Sequence, residues 1–177
     1  DEDTPMIFMP ISGPSNERAY ITDVLQRIVM DFPQGYQIVM SLGYPDASPK
    51  PVRKGNISIH AWVPNRFEYL KACDLVVSRA GHGTLTQGIS YGKPMVLIPT
   101  PSHTEQLNNA YRVQELGIAE VLQQNDVDRD LLIGTVEKML VDERYRRKIE
   151  EVQRRISGLN GLERVVDTII RVAQNCK

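Results

Sequence analysis

The chain has 177 residues, of which 41% are hydrophobic, and this length and apolar content suit one domain with a buried core. Its formal net charge is -1, so the composition offers no broad basic surface for nucleic acid or another polyanion. Two cysteines make no disulfide framework, and no apolar run approaches the roughly 20 residues needed to span a bilayer.

The chain starts with Asp1 rather than Met and enters its first apolar run within a few residues. We therefore interpret residues 1–177 as a single domain excised from a longer protein. The lack of a signal peptide and of a disulfide framework favours a cytoplasmic location.

Strand-like and helix-like segments alternate from the start of the chain to about Leu122. The predicted strands are Met6 to Ile11, Tyr36 to Ser41, Ile57 to His60, Leu75 to Ser78, Met95 to Pro99 and Ile118 to Leu122. The predicted helices between them are Glu17 to Phe32, Asn65 to Ala72, Gly83 to Tyr91 and Gln106 to Leu116, with a loop from Leu42 to Asn56. This alternation predicts an α/β fold, a doubly wound, Rossmann-like parallel sheet of about six strands.

Beyond Asp128 the pattern contains helices only. The predicted segments are Arg129 to Leu140, Glu143 to Ile156 and Leu162 to Gln174. Acids and bases alternate in the middle segment, which favours a solvated helix face over a surface for nucleic acid or lipid headgroups.

A glycine-rich turn, Gly81-His82-Gly83-Thr84, follows the strand Leu75 to Ser78 and opens a helix. The first N–H groups of a helix lack partners and the helix dipole favours negative charge there, so this arrangement is typical of a phosphate site. An ordinary glycine turn with a threonine cap explains the same residues.

Three other loops leave the same edge of the predicted sheet, where open α/β sheets bind their ligands. They are Ser12 to Asn16, Ala61 to Asn65 and Thr100 to Gln106. Trp62 in the second loop either stacks on a nucleobase or packs in the core against the next helix. Glu105 at the third either binds a hydroxyl or only stabilises a helix start, and the amides of Gln87 and Gln106 suit hydroxyl binding or the surface equally.

Together these motifs resemble the nucleotide-binding C-terminal lobe of the two-lobed GT-B glycosyltransferases. The UDP-glycosyltransferases carry a W-x-P-Q turn, an H-G-G turn with Ser or Thr, a Gly-x-Pro and a D-Q-x-x-N-A element. This chain has, in the same order, Trp62-Val63-Pro64-Asn65, Gly81 to Thr84, Gly92-Lys93-Pro94 and Glu105-Gln106-Leu107-Asn108-Asn109-Ala110. The loop that begins at Arg79 is also similar to that of the N-acetylglucosaminyltransferase that makes lipid II. The resemblance is closest from Ile57 to Leu122.

The resemblance implies that the loops divide a UDP-sugar among them. Trp62 and the backbone near Val63 are expected to hold uracil, and Glu105 with Gln106 to bind sugar hydroxyls. Thr84 and the preceding N–H groups are expected to bind the diphosphate, and Asn109 to steady the phosphate side or the loop. The implied donor site comprises Ser12, Gly13, Trp62, Val63, Arg79, Gly81, His82, Gly83, Thr84, Gln87, Glu105, Gln106 and Asn109.

The chain departs from the family pattern at three of these positions. Arg79 occupies the place of the signature histidine and His82 follows three residues later, and either side chain suits phosphate. Gln87 stands where relatives often carry a glutamate that grips the ribose diol, so a weaker ribose contact is expected. Asn65 replaces the common glutamine.

The implied reaction transfers a hexose or N-acetylhexosamine from a UDP-sugar to an acceptor with inversion at the anomeric carbon. A base from the other lobe is expected to deprotonate the acceptor, while this lobe stabilises the departing UDP through a helix dipole and hydrogen bonds without a metal. No catalytic residue is assigned in this chain, where His103 is the candidate near the site beside His82. Asp126-Val127-Asp128 matches a D-x-D metal motif by its letters but is interpreted as a helix cap.

The resemblance implies two partners, a UDP-sugar and an acceptor-binding N-terminal lobe or subunit. Through that lobe, peripheral association with the cytoplasmic face of a membrane is also implied. Two alternative functions remain open. The chain is a separate donor-binding subunit, or it belongs to a UDP-sugar hydrolase or epimerase of the same architecture.

Overall fold

The fold is seen in a computed structural model that describes residues 4–47 and 50–175. Its strands are β1 (Met6–Pro10), β2 (Gln37–Ser41), β3 (Val52–Lys54), β4 (Ile57–His60), β5 (Leu75–Ser78), β6 (Met95–Leu97) and β7 (Ala119–Val121). Its helices are α1 (Ser15–Val29), α2 (Arg66–Ala72), α3 (His82–Ser90), α4 (Thr104–Glu115), α5 (Arg129–Val141), α6 (Glu143–Ser157) and α7 (Gly161–Asn175). Part of the predicted loop Leu42 to Asn56, at positions 48 and 49, lies outside the described residues.

The sheet confirms the doubly wound prediction. Its strand order is β3-β4-β2-β1-β5-β6-β7, and every neighbouring pair is parallel except β3 with β4. The strands β2, β3 and β4 lie on one side of β1, and the next strands along the chain, β5, β6 and β7, lie on its other side. The order therefore reverses between β1 and β5, and the loops that follow these two strands meet at the edge where such folds bind ligands.

The sheet is buried on both faces because helices cover each side. Alternate residues of one strand enter different cores: Ile7 and Met9 pack with α1 and α5, whereas Phe8 packs with α2, α3 and α4. All four residues of β5 are buried. This two-sided burial explains why the central strands are continuous apolar runs rather than alternating ones.

One strand was not expected. β3 lies inside the predicted loop Leu42 to Asn56 and pairs antiparallel with β4 across Gly55 and Asn56. Gly55 has φ +54°, a backbone conformation that glycine adopts without steric cost. The sheet therefore has seven strands rather than about six. All three residues of β3 are exposed, so its sequence lacks the apolar pattern of a core strand.

The helices after the sheet agree with the predicted ones to within one or two residues. Asp128 caps α5 by accepting a hydrogen bond from Leu131 N at 2.8 Å, which confirms the interpretation of this residue as a cap. The last helix, α7, has apolar residues at helical spacing but buries none of its residues. No helix in residues 4–47 and 50–175 is both long and apolar enough to cross a bilayer.

Candidate functional site

A pocket lies at the switch point of the sheet, where three predicted loops converge. It is lined by Phe8, Pro10, Ile11, Ser12, Ser41, Trp62, Val63, Arg66, Leu70, Thr84 and Gln87. Five of the residues predicted from the sequence are among them: Ser12, Trp62, Val63, Thr84 and Gln87. The pocket measures about 40 Å³, far less than the roughly 300–1,000 Å³ of typical ligand pockets. A ligand of nucleotide size would therefore extend across its open mouth.

Trp62 and Val63 form the side of the pocket next to α2. Val63 is buried, while Trp62 is 41% exposed, so the indole is not a core residue. A partly exposed indole beside a pocket is suited to stacking on a planar ligand. Arg66, in the first turn of α2, lines the same pocket and was not predicted.

The start of α3 has unpaired amides. Gly81 is its N-cap residue and offers no side-chain cap, and the Gly81 carbonyl accepts the N–H groups of Thr84 and Leu85, each at 3.1 Å. Within the described residues, the N–H groups of His82 and Gly83 have no hydrogen-bond acceptor. The first turn also carries no acidic residue, so the positive end of the helix dipole remains available for an anion.

The turn before α3 is held by α4. Ala80 is fully buried and has φ +59°, a left-handed conformation uncommon for a residue with a side chain. Asn109 Nδ2 donates to the Ala80 carbonyl at 3.2 Å and also reaches Glu105 Oε1 at 3.5 Å. Asn109 thus links the predicted phosphate turn to the predicted sugar-binding carboxylate.

Glu105 and Gln106 open α4 but differ in exposure. Glu105 is exposed, whereas Gln106 is 7% exposed and its Oε1 accepts hydrogen bonds from Thr100 N and Thr100 Oγ1, both at 2.8 Å. The Gln106 carbonyl is thus used to hold its own loop, while Nε2 donates no hydrogen bond to the described residues. His103 caps α4, with Nδ1 accepting from Gln106 N at 3.4 Å.

The two candidates for the signature histidine lie in different environments. His82 is exposed at the start of α3. Arg79 is 3% exposed and lies beneath the turn formed by Ser12 and Gly13, where its Nη1 reaches the Ser12 carbonyl at 3.5 Å. Arg79 therefore faces the underside of the first loop rather than the open mouth.

A second buried arginine accompanies Arg79. Arg18 is 8% exposed, donates to the Gly13 carbonyl, and stacks its guanidinium 4.2 Å above the ring of Tyr44. Sequence reasoning missed Arg18 because a single arginine within a helix pattern is ordinarily a surface residue. Within the described residues, no group of three or more His, Cys, Asp or Glu side chains is arranged to hold a metal ion.

The mostly parallel sheet, its strand order and the pocket at the switch point match the C-terminal, Rossmann-like lobe of GT-B glycosyltransferases. Residues 11–161 match the family model described as the glycosyltransferase family 28 C-terminal domain. The chain belongs to this family.

The relatives of the chain are glycosyltransferases about twice its length. An uncharacterized glycosyltransferase of Methanosarcina mazei is 27% identical over 169 residues, covering 96% of this chain and 44% of that protein. The UDP-N-acetylglucosamine–N-acetylmuramyl-(pentapeptide) pyrophosphoryl-undecaprenol N-acetylglucosamine transferase of Lactobacillus johnsonii is 25% identical over 174 residues, covering 93% and 47%. The chain therefore spans about half the length of the curated relatives it matches.

A solved structure shows the same fold. The glycosyltransferase VinC, crystallised in complex with dTDP, superposes with a TM-score of 0.73 at 20% identity and covers 97% of this chain and 42% of VinC.

Proposed function

We propose that the chain is the donor-binding domain of an inverting glycosyltransferase that uses a UDP-sugar, with a hexose or an N-acetylhexosamine as the transferred group. The observation that carries the proposal is the pocket at the switch point, where the exposed Trp62 lies on one side and Thr84, from the first turn of α3, on another. Membership of family 28 and the named donor of the L. johnsonii relative support it.

The roles follow the chemistry of each element. Trp62 stacks on uracil, and the backbone near Val63 reads its polar edge. The amides of Gly81, His82 and Gly83, together with the Thr84 hydroxyl, receive the diphosphate, because unpaired N–H groups and a helix dipole favour negative charge. Neighbouring Ser12 and Gly13 contribute from the first loop.

The sugar lies towards α4. Glu105 is exposed, and its Oε2, which Asn109 does not contact, accepts hydrogen bonds from sugar hydroxyls. Gln106 contributes its Nε2 because its Oε1 is held by Thr100. The side-chain amide of Gln87 hydrogen-bonds the ribose hydroxyls, and this contact is weaker than the one that a charged carboxylate would make.

This lobe contributes to transfer by stabilising the departing UDP. As the bond between the anomeric carbon and the β-phosphate oxygen breaks, negative charge grows on the diphosphate beside the N-terminus of α3. Preorganised amides stabilise that developing charge without the reorganisation that water requires, and no metal is included in the proposal. The base that deprotonates the acceptor is assigned to a second lobe.

The second lobe is supported by α7. Its apolar residues Leu162, Val165, Val166, Ile169, Ile170 and Val172 are between 46% and 76% exposed, and Glu163, Arg164, Asp167 and Arg171 give it no net charge. An apolar face without excess positive charge suits a protein surface better than an anionic membrane. We assign that face to the acceptor-binding lobe, in the same polypeptide or as a separate subunit.

Calorimetric titration of this chain with UDP tests donor binding, with UMP, ADP and dTDP as comparison ligands. UDP should bind with micromolar to low-millimolar affinity and more tightly than UMP and ADP. Equal affinity for UDP and ADP would count against a uracil site, and tighter binding of dTDP would replace the uridine donor with a thymidine one.

Product analysis separates the transferase from its alternatives. The isolated chain should bind UDP but release neither free sugar nor glycosylated acceptor, because the base is assigned to a second lobe. Free sugar formed without acceptor indicates a hydrolase. Transfer at enzyme-like rates by the chain alone would contradict the assignment of the base to another lobe.

A further inference from the structure

Two buried arginines lie beneath the turn formed by Ser12 and Gly13. Arg79 extends from the end of β5 and reaches the Ser12 carbonyl, while Arg18 from α1 donates to the Gly13 carbonyl. The turn itself is exposed, whereas the two arginines are 3% and 8% exposed. Two consecutive carbonyl groups of the turn are therefore directed inwards by cations.

The inward carbonyl of Ser12 determines the direction of the next N–H group. In a trans peptide the C=O and N–H of one unit point in opposite directions, so the Gly13 N–H points away from Arg79, towards the exposed side. Within the described residues this N–H has no acceptor. Pro14 follows and has no N–H, so Gly13 is the last backbone donor of the turn before α1 begins at Ser15.

The backbone conformation of Gly13 and the arginine beside it both favour a glycine at this position. Its φ is +118°, and a Cβ at this position would lie 3.2 Å from Arg79 Nη1. A Cβ here would require Arg79 to shift by a few tenths of an ångström, and a φ of +118° is strained for any residue with a side chain, so an alanine would disturb the turn.

The cluster holds more positive charge than its partners neutralise. Arg79 Nη2 is 3.9 Å from Glu17 Oε2, which gives two arginines and one carboxylate. Among the described residues, Arg79 Nε, Arg79 Nη2 and Arg18 Nε are buried and make no hydrogen bond, and Glu17 Oε2 is likewise buried without one. Buried donors on an excess cation favour a nearby anion, because burying an uncompensated charge is costly.

We infer that Arg79 and Arg18 are positioning residues for a diphosphate group, which bind the underside of the Ser12–Gly13 turn and direct the Gly13 N–H to the ligand. The inference rests on the proposed function, since the diphosphate is that of the nucleotide. Ser12 and Thr84 line the same pocket, so a phosphate on this turn also lies next to the start of α3.

The test compares Arg79→Gln, Arg18→Gln and Gly13→Ala with the matched control Arg27→Gln, an exposed arginine on α1 whose side chain is 72% exposed. Dissociation constants are measured for UDP, uridine and inorganic pyrophosphate by NMR titration. The three test variants should weaken UDP and pyrophosphate about tenfold or more, as expected for lost charge-assisted contacts, with uridine within about twofold. Arg27→Gln should change none of the three, and Arg79→Lys should restore part of the UDP affinity.

Gly13→Ala retains both arginines, so its effect reports the geometry of the turn at an unchanged net charge. It also keeps the inference testable if an arginine variant fails to fold. Equal losses for UDP and uridine, or unchanged UDP binding in Arg79→Gln and Gly13→Ala, would overturn the inference. Wild-type binding of pyrophosphate but not UDP would contradict the nucleotide proposal and leave the anion turn standing. Binding of neither ligand would overturn the inference.

Discussion

Asn109 Nδ2 donates a hydrogen bond of 3.2 Å to the carbonyl oxygen of Ala80, across 29 positions of sequence. The left-handed conformation of Ala80 costs roughly 1–2 kcal/mol, so the conformation persists only because surrounding contacts hold it. Ala80 directly precedes the N-cap of α3, and its orientation sets where the unpaired amides point. Asn109 of α4 thus supports the turn that precedes the predicted phosphate site.

Asn109→Ala should weaken UDP binding about fivefold to tenfold, because it removes a hydrogen bond of about 1 kcal/mol and frees Ala80 from its left-handed conformation. Calorimetric titration measures the effect. Asn108→Ala is the matched control, since Asn108 is an exposed amide one position earlier and should leave the affinity unchanged. Equal affinities for the two variants would show that the contact with Ala80 does not shape the site.

Trp62→Ala should weaken uridine and UDP to a similar extent, by about 1–3 kcal/mol of lost stacking. The loss should be similar for both ligands because the proposed role of the indole is to stack on the base, which uridine and UDP share. The control Phe67→Ala removes an exposed aromatic side chain from α2, the helix that follows the Trp62 loop. It should change the affinity for either ligand little. A loss for UDP without a loss for uridine would assign Trp62 to the phosphates.

Gln87→Glu should strengthen UDP binding about threefold to tenfold, since a carboxylate makes charge-assisted hydrogen bonds with the ribose diol. The gain should disappear with 2′-deoxy-UDP, which lacks one of the two hydroxyls. Affinities of both nucleotides for wild type and variant measure the difference. An equal gain for the two nucleotides would place Gln87 away from the ribose.

Acidification should remove the stabilisation that Asp142 provides. Hydrogen bonds from the Arg144 side chain and backbone lower the pKa of Asp142 from 3.8 to about 2 in the folded protein. A folded-state pKa below the unfolded value gives stability that is complete above about pH 4 and is lost as the pH falls through about 2. The free energy of unfolding of wild type and Asp142→Asn, measured in urea, should therefore converge between these pH values. A difference that stays constant with pH would contradict the assignment.

Two glycines in helices should respond to alanine in opposite ways. A Cβ on Gly88 in α3 would lie 2.8 Å from Sδ of the fully buried Met95, so Gly88→Ala should destabilise the fold by about 1–3 kcal/mol. A Cβ on Gly134 in α5 meets no atom within 4 Å, and Gly134→Ala should stabilise by about 0.5–1 kcal/mol. Thermal and urea unfolding measure both changes. Stabilisation by Gly88→Ala would mean that the interface of α3 with β6 is looser than described.

Much of the fold could be predicted because its elements are encoded locally. Continuous apolar runs and helical spacing predicted six of the described strands and all seven described helices, with ends shifted by up to three residues. β3 was missed although a local signal was present, since Gly55-Asn56 between two short extended runs is a hairpin pattern.

The sequence by itself predicted which loops leave one edge of the sheet, because parallel strands with right-handed crossovers place their carboxyl ends there, and three of the four predicted loops line one pocket. Ser12, Trp62, Thr84 and Gln87 line one pocket for this reason. The tertiary structure alone decided that Arg79 lies buried under a turn 67 positions earlier in the chain, and that the apolar face of α7 is left uncovered. Both outcomes depend on strand order and on packing between segments that are distant in the chain. The local spacing of residues, which predicts helices and strands, does not encode either.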